Sequence, residues 1–151
     1  MNITPATALL VADALRQHLA GTPDQELTGV SCIAQGADAV FARVVLELGG
    51  RLIVVLPSED YRLAKVKPHY REDFDALITR AAEIQTMPYA TANRDAYTAA
   101  NEALVTQCDE MFAVWDSGPS GGKGGTADVV EYARSLGKPV HVLWPDGAQR
   151  A

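Results

Sequence analysis

A glycine-rich loop carries the clearest chemical signal in this sequence: Ser117-Gly118-Pro119-Ser120-Gly121-Gly122-Lys123-Gly124-Gly125-Thr126. Glycine lets a backbone approach an anion without a Cβ in the way, so successive amides can converge on a phosphate where a helix begins. The spacing matches neither the Walker pattern nor the dinucleotide fingerprint, and a flexible surface turn is the alternative interpretation. The residues that we predict to bind phosphate are Ser117, Gly121, Gly122, Lys123, Gly124, Gly125 and Thr126.

A second turn, Ala34-Gln35-Gly36-Ala37-Asp38, joins a predicted strand to a predicted helix. Gly36 would allow a ligand to approach closely, with Gln35 beside it, and Asp38 could accept hydrogen bonds from a ribose hydroxyl. We therefore predict ligand contacts at these three residues. The alternative is that Asp38 serves only as a favourable charge at a helix N-terminus, worth about 0.3–1 kcal/mol.

A third loop, Pro57-Ser58-Glu59-Asp60-Tyr61-Arg62, follows a continuous aliphatic run. We predict that Pro57 and Tyr61 line the ligand site, because a tyrosine can stack on a base. Arg62 has a side chain suited to phosphate. Residues 58–68 are predicted to form a polar loop, and the alternative for each single candidate in it is a solvated position with no role in binding.

Three carboxylates complete the set of candidates. Asp116 directly follows a predicted strand and is expected to line the site, whereas Asp128 and Glu131 stand three positions apart where the next helix begins. Because residues three apart share a helix face, Asp128 and Glu131 are the catalytic candidates for proton transfer. The alternative for them is helix-start charge on a solvated face. Cys32 and Cys108 have no metal-ligand spacing, and we predict neither a metal site nor a cofactor.

The elements that position these loops alternate between strand and helix. Such alternation predicts a Rossmann-like three-layer αβα domain with a mostly parallel sheet. The first apolar pattern is helical, starting at Thr4-Pro5, so the usual first strand is expected to be missing. Either that strand is dispensable or the given sequence starts late. Residues 147–151 are expected to form a frayed tail. The predicted strands are residues 27–34, 52–56, 83–87, 111–115 and 140–144.

Composition narrows the class of protein. The 151 residues are 48% hydrophobic, which fits one globular domain over residues 1–151, and the net charge is −6. That charge has the wrong sign for coating a phosphate backbone, so we expect no nucleic-acid polymer as partner. The apolar runs, residues 9–12 and 52–56 among them, are far short of the roughly 20 residues that span a bilayer. Without a membrane segment or a basic leader, the expected location is cytoplasmic.

Three stretches together resemble the SLOG superfamily, which includes DprA-type proteins and the Lonely Guy "lysine decarboxylase-like" proteins. This resemblance implies a Rossmann-like domain that binds a nucleotide or a nucleotide-derived ligand. The Lonely Guy branch cleaves the N-glycosidic bond of adenine nucleotides, and the third stretch is also similar to nucleoside deoxyribosyltransferases. The stretches are Ser31-Cys32-Ile33-Ala34-Gln35-Gly36-Ala37-Asp38, Gly49-Gly50-Arg51-Leu52-Ile53-Val54-Val55-Leu56-Pro57 and Gly124-Gly125-Thr126-Ala127-Asp128-Val129-Val130-Glu131-Tyr132-Ala133, followed by Gly137-Lys138-Pro139-Val140.

The sequence departs from this resemblance at two positions. The glycosidase families place a catalytic glutamate three residues after the threonine, where this chain has Val129, and Lys123 stands in place of a second glycine. The favoured interpretation is therefore a nucleotide-binding module in which Asp38 and Asp128 contact the ribose. The alternative is a nucleotide N-glycosidase, a phosphoribohydrolase or deoxyribosyltransferase-like enzyme, that uses Asp128 or Glu131 instead.

A third interpretation is a scaffold domain with a vestigial site. Under the favoured interpretation the partners are a small nucleotide ligand and a second copy of the chain. We expect a homodimer because a missing strand would leave an apolar helix face uncovered.

Overall fold

The computed structural model describes residues 2–22, 27–119 and 125–151, and within them strands alternate with helices. The helices are α1 (Pro5–Leu19), α2 (Ala37–Glu47), α3 (Tyr61–Lys65), α4 (Arg71–Arg80), α5 (Arg94–Gln107) and α6 (Thr126–Ser135). The strands are β1 (Thr28–Ser31), β2 (Arg51–Leu56), β3 (Glu83–Thr86), β4 (Met111–Val114) and β5 (Val140–Leu143). No helix within these residues is long and apolar enough to cross a membrane.

Local signals explain where the helices begin. The Thr4 side chain accepts a hydrogen bond from the Thr7 amide, and Pro5 occupies the first helical position of α1. Asn93 caps α5 in the same way, with its side chain 2.8 Å from the Ala96 amide nitrogen. Each cap satisfies an amide that lacks a partner inside the helix. The predicted start of α1 at Thr4-Pro5 is confirmed.

The strand pairs within the described residues are parallel. The strand order is β1-β2-β3 in one hydrogen-bonded sheet and β4-β5 in a second. β2 is aliphatic along most of its length because it lies between two neighbours and under helices. The predicted Rossmann-like αβα fold with a mostly parallel sheet is confirmed.

Helices pack in two groups, α1 against α2 and α5 against α6. One core cluster joins the first group to β4 and β5, through side chains such as Val11, Val44 and Leu143. A second core cluster forms around Phe74 of α4, which is 1% exposed, and includes Leu52 of β2. The side chains of these two clusters pack helices against strands, and this packing fixes the positions of the loops that follow the strands.

The structure corrects the predicted polar loop 58–68, which contains helix α3. Asp60 explains the helix, because one carboxylate oxygen accepts hydrogen bonds from the buried Ser58 hydroxyl at 2.7 Å and from the Ala92 amide at 2.8 Å. This anchoring sets the chain direction at the helix start, and Tyr61 then packs into the core. The sequence signal for a loop was polar composition, which a short surface helix shares.

Strand β1 is shorter than the predicted range 27–34. The chain leaves the strand after Ser31, whose hydroxyl accepts a hydrogen bond from the Ile33 amide at 3.0 Å. Ile33 has a φ of 46°, a left-handed conformation that no strand residue adopts. The hydroxyl-anchored turn therefore ends the strand early.

The expectation of a frayed tail at residues 147–151 is wrong. Ile3 and Arg150 form an antiparallel bridge, and the Gln149 amide donates to the buried Thr7 hydroxyl at 2.7 Å. The Asn2 carbonyl accepts from the Ala151 amide. These hydrogen bonds tie the two ends of the described chain together.

Candidate functional site

A cleft separates the two hydrogen-bonded sheets. It has a volume of about 600 Å³ and is lined by residues of both β1 and β4. Side chains from α1 and α2 close one face, and side chains from α5 and α6 close the other. The sheet order changes direction here, from β1-β2-β3 on one side to β4-β5 on the other. In doubly wound folds, ligands bind at such a switch point, beyond the carboxyl ends of the strands.

Four predicted site residues meet at the carboxyl end of this cleft. Asp38 lies in the first turn of α2, Pro57 directly follows β2, Tyr61 begins α3 and Thr126 begins α6. We call these four residues the mouth of the cleft. Residues from three separate loops are thus brought to one surface.

Two turns place the mouth residues. Gly36 adopts a φ of 102°, which a side chain would disfavour, and the chain reverses there to start α2. Gly125 stands as the N-cap of α6, and its carbonyl accepts hydrogen bonds from the Asp128 and Val129 amides. The first amides of α6 have no acceptor within the helix, and the positive end of the helix dipole lies with them. Thr126 therefore adds a hydroxyl to a place where an anion is favoured.

Burial controls the charge of the mouth. It raises the pKa of the Asp38 carboxyl above its usual range, while a hydrogen bond from the Ala34 amide opposes that rise. Burial, with a smaller contribution from the Asp38 charge, also raises the pKa of the Cys32 thiol to about 12. It raises the phenol pKa values of Tyr61 and Tyr97 as well. Cys32 is therefore an uncharged thiol at neutral pH, which makes it a poor nucleophile.

Tyr61 is packed more tightly than base stacking requires. It is 8% exposed, and its ring lies 6.1 Å from the ring of Phe74 and 6.3 Å from that of Tyr97. The ring therefore contributes to the wall of the mouth instead of standing open for a base. The neighbouring Arg62 is also committed, because its guanidinium makes two 2.7 Å hydrogen bonds to Asp75.

Asp116 and Ser117 lie outside the lining of the cleft. Arg150 donates two hydrogen bonds to the Asp116 carboxylate, at 2.6 and 2.7 Å, and holds its pKa below the usual range with help from the Gly118 amide. Ser117 follows with a φ of 65°, which turns the chain away from β4. The expectation that Asp116 lines the site is not met in this arrangement, because the carboxylate faces the tail residue Arg150.

Gln35 also points away from the cleft lining. It is exposed, and its side-chain nitrogen lies 3.0 Å from Nε2 of His69. Gly36 contributes through the turn that places Asp38, as described above. Nothing in this geometry brings Gln35 to the mouth.

The two catalytic candidates occupy a different face of α6 from the cleft. Asp128 and Glu131 are exposed, whereas Thr126 and Val129 line the cleft. Val129 stands at the position where the resemblance implies a catalytic glutamate. Because Val129 lines the cleft, this position faces the candidate site. Among the described residues, the carboxyl group at the mouth belongs to Asp38.

The glycine-rich loop is described only at its two ends. Ser117, Gly125 and Thr126 belong to the described residues, and the predicted phosphate-binding residues Gly121, Gly122, Lys123 and Gly124 lie outside them. Over the ranges that are described, no group of three or more His, Cys, Asp and Glu side chains could hold a metal ion.

Sequence reasoning missed the contribution of α5 to the cleft. Tyr97, Ala100 and Leu104 line it, at the spacing of one helix face. Their spacing signals an apolar helix face, a feature that any helix packed on an ordinary core shares. It could have pointed to the cleft only if the gap between β1 and β4 had been known.

The fold defines the class of protein, a Rossmann-like α/β domain with parallel strand pairs among the described residues. Among solved structures, the chain is similar to DNA processing protein A (DprA) from Streptococcus pneumoniae, with a TM-score of 0.66 and 16% sequence identity. The match covers 95% of this chain and 47% of that one, so this chain spans about half the length of the neighbour. No protein-family model and no curated protein matches the chain. At this identity the similarity shows the fold alone.

Proposed function

We propose that this domain binds a nucleotide or nucleotide-derived ligand at the mouth of the cleft. The observation that supports this proposal best is the convergence of Asp38, Pro57 and Thr126 from three loops at the switch point of the sheet. The mouth forms one end of this cleft, and small-molecule sites are concave and largely preformed.

The groups at the mouth suit the parts of a nucleotide. The start of α6 and the Thr126 hydroxyl would hold phosphate, together with the glycines and Lys123 that precede them in the sequence. Asp38 would accept hydrogen bonds from ribose hydroxyls, and Pro57 and Tyr61 would form the wall behind the ligand.

Calorimetric titration with AMP, NAD and ADP-ribose tests this proposal. We expect Asp38→Asn to weaken binding at least tenfold, because an amide presents one acceptor oxygen where the carboxylate presents two. Asp95→Asn is the matched control, since Asp95 is an exposed acidic residue in the first turn of α5 and is not part of the cleft lining. Absence of binding for every ligand, or equal affinity of the two variants, would contradict the proposal.

The same titration should include a single-stranded DNA oligonucleotide. The neighbouring structure is named for DNA processing, while the net charge of −6 disfavours a polymer of phosphates. We propose that the ligand is a small molecule, so DNA should give no heat at concentrations that saturate the protein with nucleotide. The predicted homodimer stays a prediction.

N-glycosidase activity is the second candidate, and it has weaker support. It would require Asp128 or Glu131, which are exposed on the face of α6 that turns from the cleft lining. Chromatography of the titrated nucleotides for free base distinguishes the two functions. We expect no base release, whereas release that is lost in Asp128→Asn or Glu131→Gln would establish the enzyme.

A further inference from the structure

The cleft between β1 and β4 continues below the mouth along the full length of both strands. Its lining includes Thr28 and Val30 of β1 and all four residues of β4, from Met111 to Val114. We call this part of the cleft the slot. Unlike the mouth, it has backbone on two sides and helices on the other two.

Two backbone edges face each other across the slot. Among the described strands, β1 is paired on one side, by β2, and β4 is paired on one side, by β5. The remaining edge of each strand borders the slot. An open strand edge carries N–H and C=O groups that template another strand, and leaving them unpaired in an apolar place costs about as much as a lost hydrogen bond.

The two edges run in the same direction along the slot. The helix that follows β1 begins at the mouth with Asp38 in its first turn, and the helix that follows β4 begins there with Thr126. Both strands therefore have their carboxyl ends at the mouth. A segment parallel to one edge is parallel to the other.

The side chains above and below the slot are apolar. Leu15 and Phe41 line it from α1 and α2, and Ala100 and Leu104 line it from α5. A small polar ligand would leave these surfaces and the backbone groups unsatisfied. A peptide strand satisfies both, because it pairs through its backbone and sends alternate side chains to the two faces.

Charge fixes the direction of an occupant. At the amino ends of the strands the slot is bordered by the exposed Asp109 and by Glu110, which lies 3.2 Å from His141. The described lining contains no lysine or arginine. A segment with a basic residue at its amino end and an apolar run after it complements this arrangement.

We propose that the slot accepts an extended apolar peptide segment, which pairs in parallel with β1 and β4 and joins the two sheets into one. Its length is set by the four-residue strands on either side, so about four to five residues are sufficient. The proposal concerns the slot below the mouth and does not depend on nucleotide binding.

A synthetic peptide tests the proposal, with the blocked sequence Lys-Lys-Ile-Val-Val-Ile-Gly as probe. At a hundredfold excess over its Kd, we expect the peptide to raise the Tm by roughly 5–10 °C. Amide hydrogen exchange should slow at least tenfold for edge amides of β1 and β4 and stay unchanged in β3. A second peptide, with proline at its two central valine positions, is the control because proline cannot donate to a ladder.

Two variants of α5 locate the binding. Ala100→Leu fills the slot and should abolish the effect of the peptide, whereas Ala103→Leu, on the same helix but outside the lining, should retain it. If Ala100→Leu does not fold, Leu104→Lys serves the same purpose.

A fusion that places the probe segment and a short Gly/Ser linker ahead of residue 1 tests the same pairing without a bimolecular step.

Each outcome decides the proposal. Slowed exchange at β1 and β4 that Ala100→Leu removes supports it, with the peptide or with the fusion. Unchanged exchange in both overturns it. Displacement of the peptide by AMP would make the slot part of the nucleotide site, and a doubling of mass without peptide would make its occupant a second copy of the chain. Either result contradicts the proposal.

Discussion

Asp38 combines two demands that usually conflict, a half-buried position and a charge. The carboxyl is held at the start of α2 by the Gly36 turn, and burial raises its pKa. A group that is harder to ionise in the folded protein than in the unfolded chain destabilises the fold at high pH. The candidate site therefore carries a cost in stability that function would explain.

Asp38→Asn should stabilise the protein at neutral and alkaline pH. The native carboxyl keeps its proton over a pH range in which the unfolded carboxyl, with a pKa of about 3.9, has already lost it, so stability falls as pH rises through the folded pKa. We expect the Tm of the variant to exceed that of the parent by about 3 °C at pH 8. The gap should close near pH 4.

Thermal melts of both proteins between pH 4 and pH 8 provide the measurement. Asp95→Asn, at an exposed position in the first turn of α5, is the control for the loss of one carboxyl group. A gap for Asp38→Asn that widens as the pH falls would mean that the carboxylate stabilises the fold, contrary to this account.

At the scale of single elements, the approach of α2 to β1 depends on a glycine. A Cβ added at Gly29 would lie 2.7 Å from Cγ2 of Val45 and 3.1 Å from the Phe41 ring, both on α2. Val45 is fully buried and cannot move aside without disturbing the first core cluster. The glycine therefore sets how closely the helix packs on the strand that borders the slot.

Gly29→Ala should lower the free energy of unfolding by about 1–3 kcal/mol, since an added methyl group overpacks this contact. Gly21→Ala is the control, because a Cβ there meets no atom within 4 Å, and its effect should stay within about 0.5 kcal/mol. Urea unfolding of the three proteins measures both values. Equal stabilities would show that α2 can shift away from β1 at little cost.

The order of elements could be predicted from the sequence because each signal is local. The Thr4-Pro5 start, the Asn93 cap and the aliphatic run of β2 are readable without neighbours. Helix α3 and the early end of β1 could not be predicted, since both depend on side-chain hydrogen bonds made by Ser31 and Asp60.

The candidate site was predictable only in part, for the same reason. Parallel strands bring the loops after them to one edge, so the meeting of Asp38, Pro57 and Thr126 follows from the strand pattern. The pairing of Asp116 with Arg150 joins residues 34 positions apart and has no sequence signal. Helical spacing groups Asp128 with Glu131, but only the packing of α6 decides which of its faces lines the cleft.

At the scale of the whole molecule, strand hydrogen bonds hold each sheet together, but among the described strands none connects one sheet to the other. Strand hydrogen bonds connect β1, β2 and β3, and others connect β4 and β5, while the described strands of the two sheets meet only through helices. The first core cluster bridges this gap with side chains of α1 and α2. Packing, and not a backbone ladder, holds the two halves of the domain together.

The antiparallel bridge between Ile3 and Arg150 brings the two ends of the described chain close together. Because the Ala151 amide reaches the Asn2 carbonyl at 3.2 Å, a short linker could join the two ends, and new ends could be opened among the exposed residues 67–69. We expect such a circular permutant to fold with a far-ultraviolet circular dichroism spectrum like that of the parent, and loss of that spectrum would contradict the expectation. The fold would then not depend on the order in which its elements are synthesised.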